Sequence, residues 1–292
     1  MTLRRCTLLA SLLLIATTAV GCSSGARYRE TRVIVLPDAP AMAGIDVRTA
    51  NGAVDISTAP RESQATIVAS LRAKTKERLE RIDIIAGYEG ETLVVSVVWP
   101  DGRRRSSEGA TFDIEVPGVA DATVDTGNGA INLAGAQGDA DLNTSNGRIK
   151  VERHRGSVVA DTSNGRIEIS GELDDVDART SNGAVRIAGA DGPVRVRTGN
   201  GSVVVELADG NPGPVEARSS NGSIRFNLSE AFRGRLRLET TNGRVVLEDA
   251  PMARIHSISR NRAELTIGDS AAESSADTTN GTVTVRFRGE SD

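Results

Sequence analysis

The sequence predicts an all-β protein: a parallel β-helix, or solenoid, of about nine stacked rungs, with an irregular N-terminal cap containing one short helix. Three observations carry this. An Asn-Gly pair recurs with a nearly fixed period, apolar columns flank it with period two, and the 292 residues include only four Phe, two Tyr and one Trp. A core with so few aromatics must come from Val, Ile, Leu and Ala, whose branched members suit thin, regular β layers.

The pairs begin at Asn51, Asn128, Asn146, Asn164, Asn182, Asn200, Asn221, Asn242 and Asn280, and from Asn128 onward the spacings are 18, 18, 18, 18, 21, 21 and 38. The last gap holds one degenerate copy over residues 259–267, with Arg262-Ala263 standing where Asn-Gly is expected. Three residues after the Asn stand Ile131, Ile149, Ile167, Val185, Val203, Ile224, Val245, Leu265 and Val283. Five after it, Leu133, Val151, Ile169, Ile187, Val205, Phe226, Leu247, Ile267 and Val285 are equally apolar. Four before it come Val124, Leu142, Ala160, Ala178, Val196, Ala217, Leu238, Ile258 and Ala276. Alternation on both sides of the turn means two short strands per copy, each with one face inward.

Asn-Gly also suits a two-residue hairpin, since it supplies positive φ at a sharp corner. Size decides against a meander: nine hairpins would need about 18 strands in one sheet, beyond the roughly 10 that open sheets tolerate, with nothing to cover the buried face. In a solenoid the two strands of each rung bury each other's Val and Ile, and the corner asparagines can stack into an amide ladder. Residues 119–288 are accordingly the repeat array, a rod on the order of 40 Å long wound right-handed by the crossover preference of parallel strands.

Residues 31–118 form the cap: a first rung at Asn51, a strand over 65–71, a helix over 74–81 and a hairpin-like pair over 82–86 and 92–99. Irregular ends shield the open core of a stack and block edge pairing. Residues 289–292 are a short tail.

Residues 1–21 read as an export signal, with Arg4 and Arg5 before an apolar stretch over 8–20 that falls short of the roughly 20 residues a spanning helix needs. Ala19-Val20-Gly21-Cys22 resembles a bacterial lipobox, which makes Cys22 the lipidated first residue and 22–30 a tether. This implies an exported, membrane-anchored lipoprotein, in the outer membrane if the cell has one and otherwise on the outer face of the cytoplasmic membrane. The other cysteine, Cys6, lies within the signal, so neither an intrachain disulfide nor a Cys-based zinc site is expected. Without Arg4 and Arg5, 35 − 2 = 33 basic residues face 39 acidic ones, a net charge of −6 that gives no reason to expect nucleic-acid binding.

The Thr-x-Asn-Gly-x-Val-x-Val rung, the helix-bearing insert after the first copy, and Phe112-Asp113-Ile114-Glu115-Val116-Pro117-Gly118 leading into the array together resemble the putative-adhesin family of uncharacterised bacterial envelope β-solenoid proteins. The resemblance covers roughly residues 31–288. It implies a surface or periplasmic solenoid and supplies no catalytic residues.

Function must then lie on the outward columns. Arg179, Arg195, Arg197, Arg218 and Arg237 outnumber Asp177 and Glu216 on one face, which makes them candidates for binding an anionic glycan or a lipid headgroup. Asp125, Asp141 and Asp161 on the first rungs could hold Ca²⁺ or act as an acid/base pair in a polysaccharide lyase or hydrolase, or serve as a solvated face. The preferred expectation is a non-catalytic, lipid-anchored envelope protein without cofactor or metal, presenting its surface to a glycan, an envelope protein or itself. An enzyme built on the three aspartates and an envelope-stress accessory are the alternatives. His154 and His256 stand too far apart to share a metal, and His256 is expected to pack in the core.

Overall fold

The computed structural model describes residues 28–248 and 253–287. The protein is all-β. Its described strands belong to one hydrogen-bonded sheet that does not close into a barrel, and the only α-helix among the described residues is Lys76–Glu80. That helix is capped by Thr75, whose side chain accepts a hydrogen bond from the backbone N–H of Arg78, so the helix starts two residues later than the sequence pattern suggests.

Strands from successive copies pair side by side, in parallel and in register. In the ladder of upstream strands, Val47, Val124, Leu142, Ala160, Ala178, Val196, Ala217, Ala276 and Leu238 follow one another as direct partners. In the ladder of downstream strands the order is Val54, Ile131, Ile149, Ile167, Val185, Val203, Ile224, Val283 and Val245. Nearly all of these residues are fully buried, and burying each Val, Ile or Leu contributes about 1.5–3 kcal/mol.

The corner between the ladders explains the motif. Eight side-chain hydrogen bonds of 2.6–2.9 Å join the asparagines in the order Asn51, Asn128, Asn146, Asn164, Asn182, Asn200, Asn221, Asn280 and Asn242, each amide donating to the carbonyl oxygen of its predecessor. The Thr or Ser two residues before the Asn donates its hydroxyl to the glycine carbonyl of the preceding copy, as Thr162 does to Gly147 at 3.0 Å and Thr180 to Gly165 at 3.0 Å. That same carbonyl oxygen lies so close to the next glycine that a Cβ on Gly147, Gly165, Gly183 or Gly201 would collide with it. None of these Asn or Gly residues has a left-handed φ. The expected positive-φ corner is therefore corrected: glycine stands there because of close backbone approach between copies.

The order of the last copies also departs from the sequence. The Asn280 copy sits between those of Asn221 and Asn242, so the stack does not follow the chain at this end. The degenerate copy adds no parallel strand. Its strand Arg262–Ile267 runs antiparallel to Gly234–Asn242, and Ala253–Ile258 runs antiparallel to it in turn. An interior position would put Ala263 where only glycine clears the neighbouring carbonyl, and Arg262 where the amide chain needs Asn. The copy is therefore placed outside the stack, and the intact Asn280 copy takes the interior position. Ile258, expected inward, is 61% exposed as a result.

At the N-terminal end the Asn51 copy lies directly beneath the Asn128 copy. Beyond it Thr92–Val98 and Gly109–Val116 continue the two ladders in parallel, and Asp83–Glu89, Ala65–Ala73 and Tyr28–Leu36 finish them in antiparallel pairs. The buried Arg78 pins the helix to the loop before Gly109 through Glu108 at 2.6 Å and Asp101 at 2.9 Å.

Gly165→Ala should cost about 3 kcal/mol through backbone overlap, whereas Asn164→Ala, at an exposed corner, should cost about 1 kcal/mol for its lost hydrogen bonds. Urea denaturation of the two variants measures the ranking, and a Gly165→Ala protein as stable as the parent would remove the close-approach explanation.

Candidate polyanion-binding face

Outward residues of the upstream ladder stand in columns because every copy repeats the same register. Three residues before the Asn, the column reads Asp125, Asn143, Asp161, Arg179, Arg197, Arg218, Asp277 and Glu239. Arg179, Arg197 and Arg218 sit on consecutive strands, so their backbones are about 4.8 Å apart. Together with Asp161 and the adjoining Thr, Ser and Asn corner residues they line an open groove of about 460 Å³.

Intramolecular pairing leaves part of this charge uncommitted. Arg179 is held by Asp177 at 2.5 Å, and Arg218 approaches Asp277 only at 3.9 Å. Among the described residues Arg197 and Arg195 have neither an ion pair nor a side-chain hydrogen bond. A guanidinium with five donors and no internal acceptor can offer a bidentate fork to a carboxylate, sulfate or phosphate.

The other candidate residues go elsewhere. Arg195 belongs to a groove of about 530 Å³ dominated by Asp121, Asp139, Asp141, Asp175 and Asp177. Arg237 lines a third groove of mixed sign, which Arg218 also borders, and is bound by Glu239 at 2.8 Å, a hydrogen bond that raises its pKa and lowers that of Glu239. The structure thus brings together three of the five arginines. Asp125, Asp141 and Asp161 do not converge: Asn143 separates Asp125 from Asp161 in their column, Asp161 lies beside Arg179, and Asp141 lines the acidic groove. Among the described residues no group of three or more His, Cys, Asp or Glu side chains is placed to hold a metal ion. The acidic groove went unnoticed in the sequence, although Asp121, Asp139 and Asp175 all stand seven residues before an Asn. Cys22 lies outside the described residues. Among those residues no helix is long and apolar enough to cross a membrane.

The expectation that His256 packs in the core is corrected. His256 is exposed and hydrogen-bonds Thr266 Oγ1 at 2.8 Å. The register of its strand slips between Ile255 and Ser257, which removes His256 from the inward face. His154 is the buried one. Its Nε2 lies 3.2 Å from the carbonyl oxygen of Ser157, which it can reach only as a donor, and its Nδ1 has no partner.

Residues 152–290, the copies from Asn164 to Asn280, match a family model described as Domain of unknown function (DUF7330). Among solved structures, the chain is similar to a putative adhesin from Bacteroides fragilis at 14% identity, covering 90% of this chain and 99% of that one with a TM-score of 0.38. A putative adhesin from Parabacteroides distasonis is 11% identical, with 89% and 98% covered and a TM-score of 0.37. A putative cell adhesion protein from Clostridium sporogenes is 10% identical, with 90% and 100% covered and a TM-score of 0.28. No curated protein matches the sequence.

Burial lowers the pKa of His154, with the Ser157, Gly138 and Ala136 backbone and the Asp139 charge opposing it only in part. The folded protein therefore binds fewer protons than the unfolded chain below the ordinary histidine pKa of about 6.5, and stability is present above that pH and lost as pH falls below it. His154→Phe should flatten the fall in melting temperature between about pH 7 and 5. An unchanged slope would locate the acid sensitivity elsewhere.

Proposed function

We propose that this protein is a non-catalytic, lipid-anchored cell-envelope scaffold that binds anionic polysaccharide along the Arg179–Arg197–Arg218 column. In this proposal the two ladders wind as a right-handed β-solenoid, and Cys22 carries the lipid that holds the rod at the membrane, in the outer membrane where the cell has one. The observation that carries the reading is the line of three guanidinium groups on consecutive strands, with Arg197 free of any partner among the described residues. Such a line meets a polymer whose charges repeat along its length, and it does so through side chains already held on a regular backbone. The groove is open and its walls are polar, with three arginines against the single carboxylate of Asp161 at one end, which suits a hydrated polyanion.

Binding of polygalacturonate and of neutral dextran, compared by calorimetry at low and high salt, tests the reading. Polygalacturonate should bind with an affinity that falls as salt rises, and dextran should not bind. Arg197→Gln should weaken binding about tenfold, the weight of one charge-assisted hydrogen bond, while Arg237→Gln leaves it unchanged. Equal binding by the Arg197→Gln protein would refute the assignment of the column. Cys22→Ala should move the protein from the membrane fraction to the soluble fraction; retention in the membrane would rule out the anchor.

A further inference from the structure

The two ends of the stack carry matching edges. At the N-terminal end the upstream ladder finishes in Asp83–Glu89, antiparallel to Thr92–Val98. At the other end it finishes in Ala253–Ile258, antiparallel to Arg262–Ile267. Among the described residues neither terminal strand pairs along its second edge, so each leaves a row of backbone donors and acceptors open.

The edges agree in direction, shape and charge. Ala253–Ile258 runs in the sense of the parallel ladder and Asp83–Glu89 runs against it. Stacked along one axis, they meet as an antiparallel pair. Ala253, Ile255 and Ile258 share the face of Ala263, Leu265 and Ile267, which is the inward face. Yet Ile255 and Ile258 are 50% and 61% exposed, because no further layer covers them. The inward face of Asp83–Glu89 presents the half-buried Ile84, Ala86 and Tyr88. An antiparallel register that sets Ile258 against Ile84 also sets Ile255 against Ala86, with His256 as the extra residue, and brings Arg254 diagonally beside Glu89. The Arg254 end of one strand thereby meets the Glu89 and Glu91 end of the other.

The ends are also stepped in opposite senses. Past the Asn242 copy the upstream ladder continues for two strands and the downstream ladder for none, leaving Val245 and Leu247 half-buried. Past the Asn51 copy the downstream ladder continues for three strands, Gly109–Val116, Ala65–Ala73 and Tyr28–Leu36, and the upstream ladder for two.

We infer that copies of this chain associate head to tail, the Ala253–Ile258 edge of one adding to the Asp83–Glu89 edge of the next and extending the sheet from molecule to molecule. The contact uses two different surfaces, so it does not close into a two-fold dimer and generates an open-ended series. It rests on the two ends alone and is independent of what the arginine column binds.

Sedimentation velocity on a dilution series of the purified full-length protein tests this. The wild type should form dimers, trimers and longer species as concentration rises. Ile258→Lys and Ile84→Lys, each disabling one end, should be monomeric, and their equimolar mixture should stop at the dimer formed by the two intact ends. Glu89→Arg and Arg254→Glu, both at exposed positions, should each shift association to about fivefold higher concentration, the size of one cross-strand charge pair, and the double variant should recover it. A wild type that stays monomeric, one that stops at a dimer, or an Ile258→Lys protein that associates like the wild type would overturn the proposal.

Discussion

The distance between each corner glycine and the glycine carbonyl of the copy beneath it governs the rest of the molecule. The backbones approach so closely there that no Cβ fits between them. The same carbonyl takes the Thr hydroxyl of the next copy, and the Asn beside it passes an amide hydrogen bond onward. Each buried polar group at the corner thus finds its partner in the neighbouring copy, which is the condition for burying it without penalty. One contact fixes the register of both ladders, because a slip by one residue would turn every inward Val and Ile outward.

The exchange of the last copies follows from that constraint. Sequence order favours stacking each copy on the one before, since the connection is then shortest. Against this stands a copy with Arg-Ala at the corner, which would interrupt both the amide chain and the glycine contact if it lay inside. Moving it outside keeps the chain of amides unbroken from Asn51 to Asn242 and leaves its hairpin as the last layer. Leu265 and Ile267 remain buried there, so the apolar pattern of the degenerate copy is still used, though in an antiparallel strand.

Much of this was legible from the spacing of one dipeptide. The three apolar columns and the Asn ladder follow from alternation and period, which are backbone properties and need no tertiary information. The reason for the glycine was not legible, because left-handed φ and close approach demand the same residue. The arginine column was legible only in part. Arg179, Arg197 and Arg218 share one offset from the Asn, whereas Arg195 and Arg237 stand two residues earlier, a shift of about 6.6 Å along the strand that carries them into other grooves. Sharing a face was too weak a criterion, and sharing an offset would have separated them. His256 was misplaced because a single register slip in a short edge strand leaves no mark in composition.

The division between constrained and free positions also says where function can reside. Inward columns are held by packing and corner positions by the carbonyl contact, so neither can vary without unsettling the stack. Outward columns answer only to solvent and to their neighbours one strand away. On such a scaffold a charge placed at one offset is automatically aligned with the same offset in the next copy, at the strand spacing of about 4.8 Å. Repetition of a structural unit therefore creates linear arrays of like side chains without any further folding requirement. Like charges so aligned repel one another, and with Arg197 unpartnered and Arg218 only loosely paired, the cost is borne across successive copies. A bound polyanion would relieve that repulsion where it crosses the Arg179, Arg197 and Arg218 strands.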